Sequence, residues 1–189
     1  MEFYLTYNGA LKASGKPREK QAIRRIFHKQ LQQLWMQAPL VSYAPPKGHY
    51  LDDSPPDTGL SIIQQIAGFR FAPLVTARLH LVAELDITML RPEPPGSIVT
   101  QGGDIDNRLK TLLDSLKMPK EVGEVPAGDS PGENENPFFC LLEDDNLITK
   151  LTVGTGRLLE PRNASSDVVL IIHVKTKATQ LTYGNIDLA

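Results

Sequence analysis

Between residues 77 and 90 the chain reads ARLHLVAELDITML, and this run limits the possible folds more than any other stretch. Leu79, Leu81, Ala83, Leu85, Ile87 and Met89 alternate with Arg78, His80, Val82, Glu84, Asp86 and Thr88. A period of two sends successive side chains to opposite faces of a strand, so one face is apolar and buried and the other faces water. Such a strand needs partners at its sides and something apolar to lie on. Two amphipathic runs provide the apolar cover. Residues 17–37 carry Ala22, Ile23, Ile26, Phe27, Leu31, Leu34 and Trp35 at helical spacing, with Pro17 in a first-turn position and Pro39 beyond the end. Leu109, Leu112, Leu113 and Leu116 fall at i, i+3, i+4 and i+7, which predicts a second helix. Further strands are expected at 2–8, ending at Gly9, at 68–75, on either side of Glu143–Asn146, and at 166–178, the last one well buried. The expected fold is α+β: a mixed or antiparallel sheet flanked by two main helices, in a single domain over 1–189. Loop insertions are expected near 39–60, which is rich in Pro, and near 120–137, which is rich in Gly, Pro and acids and is expected to be flexible.

Charge is unevenly distributed. The net charge of −2 argues against a uniformly basic nucleic-acid binder. Yet Lys16, Arg18, Lys20, Arg24, Arg25 and Lys29 face only Glu19 within their segment, a net of +5 and a weak candidate surface for DNA. Arg70, Arg78, Arg91, Lys150 and Arg157 would have to add to it. Residues 121–149 hold eight acids and no Lys or Arg. The lone Cys140 excludes an intrachain disulfide framework and fits a reducing compartment, and within "FFCLL" it is expected to be buried and inert. The first residues lack the basic and apolar pattern of a secretory signal, and the longest apolar run, VVLIIHV, is too short to span a bilayer, so a cytoplasmic location is expected. His28, His49, His80 and His173 do not cluster in sequence, and His173 reads as a core histidine with its hydrogen bonds met.

The chemistry is concentrated in acids. Asp104 and Asp106 are one residue apart at the mouth of the second helix, so in an extended segment their carboxylates share a side. Asp106 or Asn107 can cap that helix, whose first N–H groups favour an anion or a phosphate. Asp144 and Asp145 form a second acidic pair in a turn between strands. Carboxylate oxygens are what Mg²⁺ or Mn²⁺ takes, together with water and substrate phosphate oxygens. Lys110 lies one turn after Asp106 and would offset charge on a phosphate. Taken singly, each feature has a plainer explanation. Asp-x-Asp before a helix is common cap-and-turn chemistry, Asp144-Asp145-Asn146 suits a hairpin tip, Lys110 suits a solvated surface, and Asp114 can pair with Lys110 across one turn. Glu84 and Asp86 are lesser candidates for extra ligands.

Taken together, "DIDNRLKTLLDSL" resembles the signature of the RusA-type Holliday junction resolvases, through Asp104, Asp106, Asn107, Lys110, Asp114 and Leu116. "LLEDDNLITKL" resembles that family's second acidic block, through Asp144 and Asp145. The two blocks cover roughly residues 100–155. The resemblance implies a homodimeric, Mg²⁺-dependent endonuclease that nicks branched DNA, a four-way junction, by phosphodiester hydrolysis. It implies Asp104, Asp106 and the Asp144–Asp145 pair as metal ligands, Asp145 ahead of Asp144. Lys110 would be the catalytic lysine, with Asn107 and Asp114 in support. Two other readings stay open. Gly102-Gly103 followed by Asp-x-Asp also resembles nucleotidyltransferases, and the acidic insert suits a non-catalytic relative that binds DNA or protein.

Overall fold

The computed structural model describes residues 1–41, 50–53, 60–92, 105–160 and 164–188. The elements run β1 (Glu2–Ala10), α1 (Pro17–Trp35), β2 (Gln64–Ile66), β3 (Phe69–Val75), β4 (Leu81–Arg91), α2 (Ile105–Leu116), β5 (Phe138–Leu142), β6 (Ile148–Arg157) and β7 (Asp167–Ala178). Four strands form one sheet in the order β1-β7-β4-β6, and three form a second in the order β2-β3-β5. β7 is antiparallel to both β1 and β4, while β4 with β6 and β3 with β5 are parallel. The expected α+β architecture, with mixed sheets and two main helices, is therefore present. Most of the Pro-rich 39–60 stretch, including His49, lies outside the described residues.

The period-two run behaves as its pattern requires, with one difference. Leu81, Ala83, Leu85, Ile87 and Met89 are all buried on the inner face of β4. Ala77–Leu79, however, form a 3-10 turn, and His80 takes a left-handed conformation (φ 52°) before the strand begins. The turn is held by hydrogen bonds: Thr76 Oγ1 accepts from the Arg78 N–H at 3.2 Å, and the Glu143 carboxylate accepts from the Ala77 N–H at 3.0 Å. Leu79 stays buried across the break, so the periodicity persists although the strand does not. β7 corrects a second expectation. Val168, Leu170, Ile172 and Val174 are buried, but Ile171 is 41% exposed and His173 and Lys175 lie half-buried on the other face. The last strand is buried on one side only.

α1 begins at Pro17, and Glu19 reaches back to accept the Lys16 N–H at 2.9 Å. Ile23, Phe27, Leu31 and Trp35 form its buried stripe, with Trp35 stacked on Phe139 at 5.5 Å. Its opposite flank receives the 120–137 insert, which is anchored here. Arg25 grips Glu135 with two nitrogens at 2.8 and 3.2 Å and Asp129 at 2.9 Å. Val125 enters a second apolar cluster with Phe69, Phe71, Met118, Phe138 and Cys140. Among the described residues His28, not His173, is the buried histidine. Its Nδ1 accepts the Phe139 N–H at 2.9 Å, so the proton sits on Nε2, which meets the Asn134 carbonyl at 2.9 Å.

Burial, the largest influence, pushes His28 below its ordinary value, against the opposing pull of the Asn134 carbonyl and Glu135. The unfolded ring takes a proton near pH 6.5, the folded ring only at lower pH. Its contribution to stability is therefore whole above about pH 6.5 and is lost as pH falls through the folded value. The thermal midpoint should drop between pH 7 and pH 5 more steeply in the wild type than in His28→Asn, whose Oδ1 can still take the Phe139 N–H. Arg25→Ala should speed proteolytic cleavage within residues 127–133 and leave the global urea midpoint nearly unchanged, because it removes the grip on the insert and not the core.

Candidate functional site

α2 sets the geometry of the candidate acids. Leu112 and Leu116 are buried and Leu109 and Leu113 pack beside them, so the opposite flank carries the polar residues. Its first turn is tied down by Arg108, which is 2% exposed and donates to the carbonyls of Leu11 and Ser165 at 3.2 and 3.3 Å. Those carbonyls sit at the finish of β1 and the approach to β7, so the mouth of α2 lies at the end of the sheet where β4 finishes. Here Asp106, Asn107 and Lys110 are exposed. Asp106 Oδ1 accepts the Asn107 N–H at 2.6 Å, and among the described residues neither Asp106 nor Lys110 is in an ion pair. Asp104, with Gly102 and Gly103, lies outside the described residues.

The second acidic pair is elsewhere. Asp144 caps a 3-10 turn over Asp145–Leu147, accepting the Asn146 N–H at 3.0 Å, just before β6 starts. Lys120 pairs with the Asp144 carboxylate, and Lys117 Nζ lies 3.1 Å from Asp145 Oδ2. Desolvation alone would raise Asp144, but the Lys120 ammonium and the Asn146 N–H hold it well below the usual carboxylate range. Lys117 follows Asp106 by eleven positions, about 16 Å of helical rise. Asp144 and Asp145 thus stand at the far end of α2 from Asp106, the end where Ala83 pairs with Ile148. Asp106 is therefore held apart from Asp144 and Asp145, while Asp104 lies outside the described residues. Among the described residues no three His, Cys, Asp or Glu side chains are grouped as a metal ion would require. Glu84 and Asp86 point from the outer face of β4, away from α2.

An ionic chain at the far end of α2 was not anticipated. Lys20 Nζ meets Asp114 Oδ2 at 2.7 Å, Asp114 Oδ1 meets Lys117 Nζ at 3.1 Å, and Lys117 continues to Asp145. Asp114 therefore pairs with Lys20 and Lys117 rather than with Lys110. Burial would raise its carboxyl, yet the two ammoniums outweigh burial and lower it; Lys117, penalised by burial, is raised by its two aspartates. Arg24 completes the knot: buried, it donates to the Asp114 carbonyl at 2.8 Å and the Lys117 carbonyl at 3.0 Å. Cations at the last carbonyls of a helix also oppose its dipole. Lys117 was findable, being three residues past Asp114. Lys20 and Arg24 were not, since they lie 94 and 90 positions from Asp114 in sequence. Of the basic segment, Arg24 is buried, Lys20 and Arg25 are spent on acids, and Lys16, Arg18 and Lys29 remain exposed. Cys140 is buried, which pushes its thiol up to about 12.

Scans of family models, curated proteins and solved structures returned no match to this chain. Among the described residues no helix is long and apolar enough to cross a membrane. Arg24→Leu should lower stability by about 3 kcal/mol in urea unfolding, since it strands two carbonyls beneath the surface. Lys117→Met should cost less, about 1–2 kcal/mol, because Asp114 keeps Lys20.

Proposed function

We propose that the chain is a divalent-metal-dependent endonuclease acting on branched DNA, with its site at the mouth of α2. One observation carries this reading. Among the described residues Asp106 and Lys110 lie exposed on adjacent turns without ion-pair partners, while Asp114, Asp144 and Asp145 are each held by a lysine. A carboxylate and an ammonium left open beside a helix N-terminus suit a phosphate and its counter-cation. The resemblance of residues 104–116 to the resolvase signature supports the same reading.

The fit is partial. Asp104 and Asp106 suit a Mg²⁺ ion completed by water and phosphate oxygens, but Asp144 and Asp145 do not fit that set within one chain. When bound, the ion would activate water and screen the phosphate. Asp106 would fix its place, the α2 N–H groups would hold a non-bridging oxygen, and Lys110 would offset charge growing on the phosphate. With Mg²⁺ or Mn²⁺, the protein should nick a synthetic four-way junction. Asp106→Asn should abolish nicking while binding persists, and Lys110→Ala should lower the rate by about 100-fold or more. Undiminished cutting by Asp106→Asn would refute the assignment.

The separation of Asp106 from Asp144 and Asp145 favours a second reading, a non-catalytic relative that binds DNA or protein. Junction binding with no cleavage of any DNA form, in either metal, selects it.

A further inference from the structure

The insert that Arg25 anchors on α1 is left with an unbalanced charge. Residues 121–137 carry five acids and no Lys or Arg. Among the described residues only Arg25 forms ion pairs with them, to Asp129 and Glu135. Two carboxylates against one guanidinium leave one negative charge over. The hydrogen bonds are short by one at the same place. Glu135 gives both oxygens to Arg25 and Asp129 gives Oδ1. Asp129 Oδ2 is shielded from water and has no partner among the described residues. A shielded carboxylate oxygen is costly to leave without a donor.

Asp129 lines a groove of about 570 Å³, within the ordinary size range of ligand pockets. Pro17 at the start of α1 and Ala67 in the turn between β2 and β3 line it together with Val122, Val125 and Pro126 of the insert. Among the described residues Asp129 is the only charged one on its wall. Val122 is 68% exposed, so the wall is open to a partner. The frame is fixed, because Val125 is buried in the second apolar cluster and the Asp129 N–H donates to the Pro126 carbonyl at 3.0 Å. A smaller cleft shares Pro17 and Gly123 with the groove, but its cations are already committed: Lys20 pairs with Asp114, and Arg24 holds two carbonyls.

We infer that this groove binds a lysine of a partner protein, presented within an extended apolar segment. The apolar stem of the lysine lies on Pro17, Val122 and Pro126, and its ammonium donates to Asp129 Oδ2. Two cations then stand against two carboxylates, and the last oxygen has its donor. Lysine suits the groove better than arginine. A guanidinium fork wants two oxygens of one carboxylate, and Arg25 already holds Oδ1, whereas an ammonium is a point donor that needs only the one left. Apolar residues on either side of the lysine match the Pro, Val and Ala of the walls. The five acids of the insert repel a phosphate backbone, so the partner is a protein and not a nucleic acid. The inference needs neither metal nor DNA and stands whether or not the chain cuts junctions.

The test is fluorescence anisotropy on the full chain with a labelled, end-capped hexapeptide, Ala-Val-Lys-Val-Pro-Ala. The wild type should bind it with a Kd on the order of 100 µM. Acetylating the peptide's lysine removes its charge and should weaken binding at least tenfold. Asp129→Asn should weaken it as much and leave the melting temperature nearly unchanged, because Arg25 keeps both Glu135 oxygens. A Cβ built at Gly123 meets nothing within 4 Å, so Gly123→Trp should fold, fill the groove and also cost at least tenfold. No binding at about 1 mM peptide, equal affinity for the acetylated peptide, or indifference to either variant would overturn the inference. So would lysine amide binding as tightly as the peptide, which would give the groove to a free amine instead.

Discussion

Arg24 occupies the position from which most of this structure is organised. Its guanidinium lies beneath the surface, reaching from α1 to the final carbonyls of α2, with the Gln21 side chain as a further partner. Burying a guanidinium is costly unless its donors are met, so the geometry of its partners is narrowly fixed. Burial lowers its hold on the proton, and Cys140, Glu124 and Asp114 pull the other way. With α1 and the end of α2 joined in this way, Lys20, Asp114, Lys117 and Asp145 fall into one alternating chain. The turn before β6 is thereby committed to holding the fold together. What remains open for chemistry is the other end of the same helix.

How far the fold could be read from the sequence follows from the range over which each pattern acts. β4 and α2 are set by periodicities within a dozen residues, and both lie where the alternating and i, i+4 patterns put them, apart from the 3-10 turn before Leu81. The face that each element turns inward was equally visible. Partner choice was not. Asp114 carried a visible lysine four residues earlier, yet it bonds to Lys20, which is remote in sequence and adjacent only after α1 packs on α2. The same holds for Arg25 with Glu135 and for His28 with Asn134. His173 misled because strongly apolar neighbours surround it in sequence, whereas on a strand those neighbours face the other way. The two acidic blocks looked alike as strings, and only topology separates them: a parallel pairing of β6 with β4 places the turn before β6 at the start of β4, while α2 opens beyond its end.

The same contacts bring parts of the two opposite charge fields together. The basic flank of α1 and the acidic insert are two sides of one interface, with Arg25 set between Asp129 and Glu135. Segments that looked like separate fields in the sequence meet in the fold through Arg25. The residual positive surface of that helix is confined to Lys16, Arg18 and Lys29, at its entrance and along its outer flank.

The margins of the main sheet are treated unequally. At β1, the Gln30 amide accepts the Thr6 N–H at 2.9 Å and donates to the Thr6 carbonyl at 2.7 Å, doing with a side chain what another strand would do with its backbone. β6 has no such plug among the described residues, and its rim holds threonines, glycines, Lys150 and Arg157. A ribbon stoppered at one margin can recruit strands from one direction only, so any lateral growth ends after a single addition instead of propagating into a fibre.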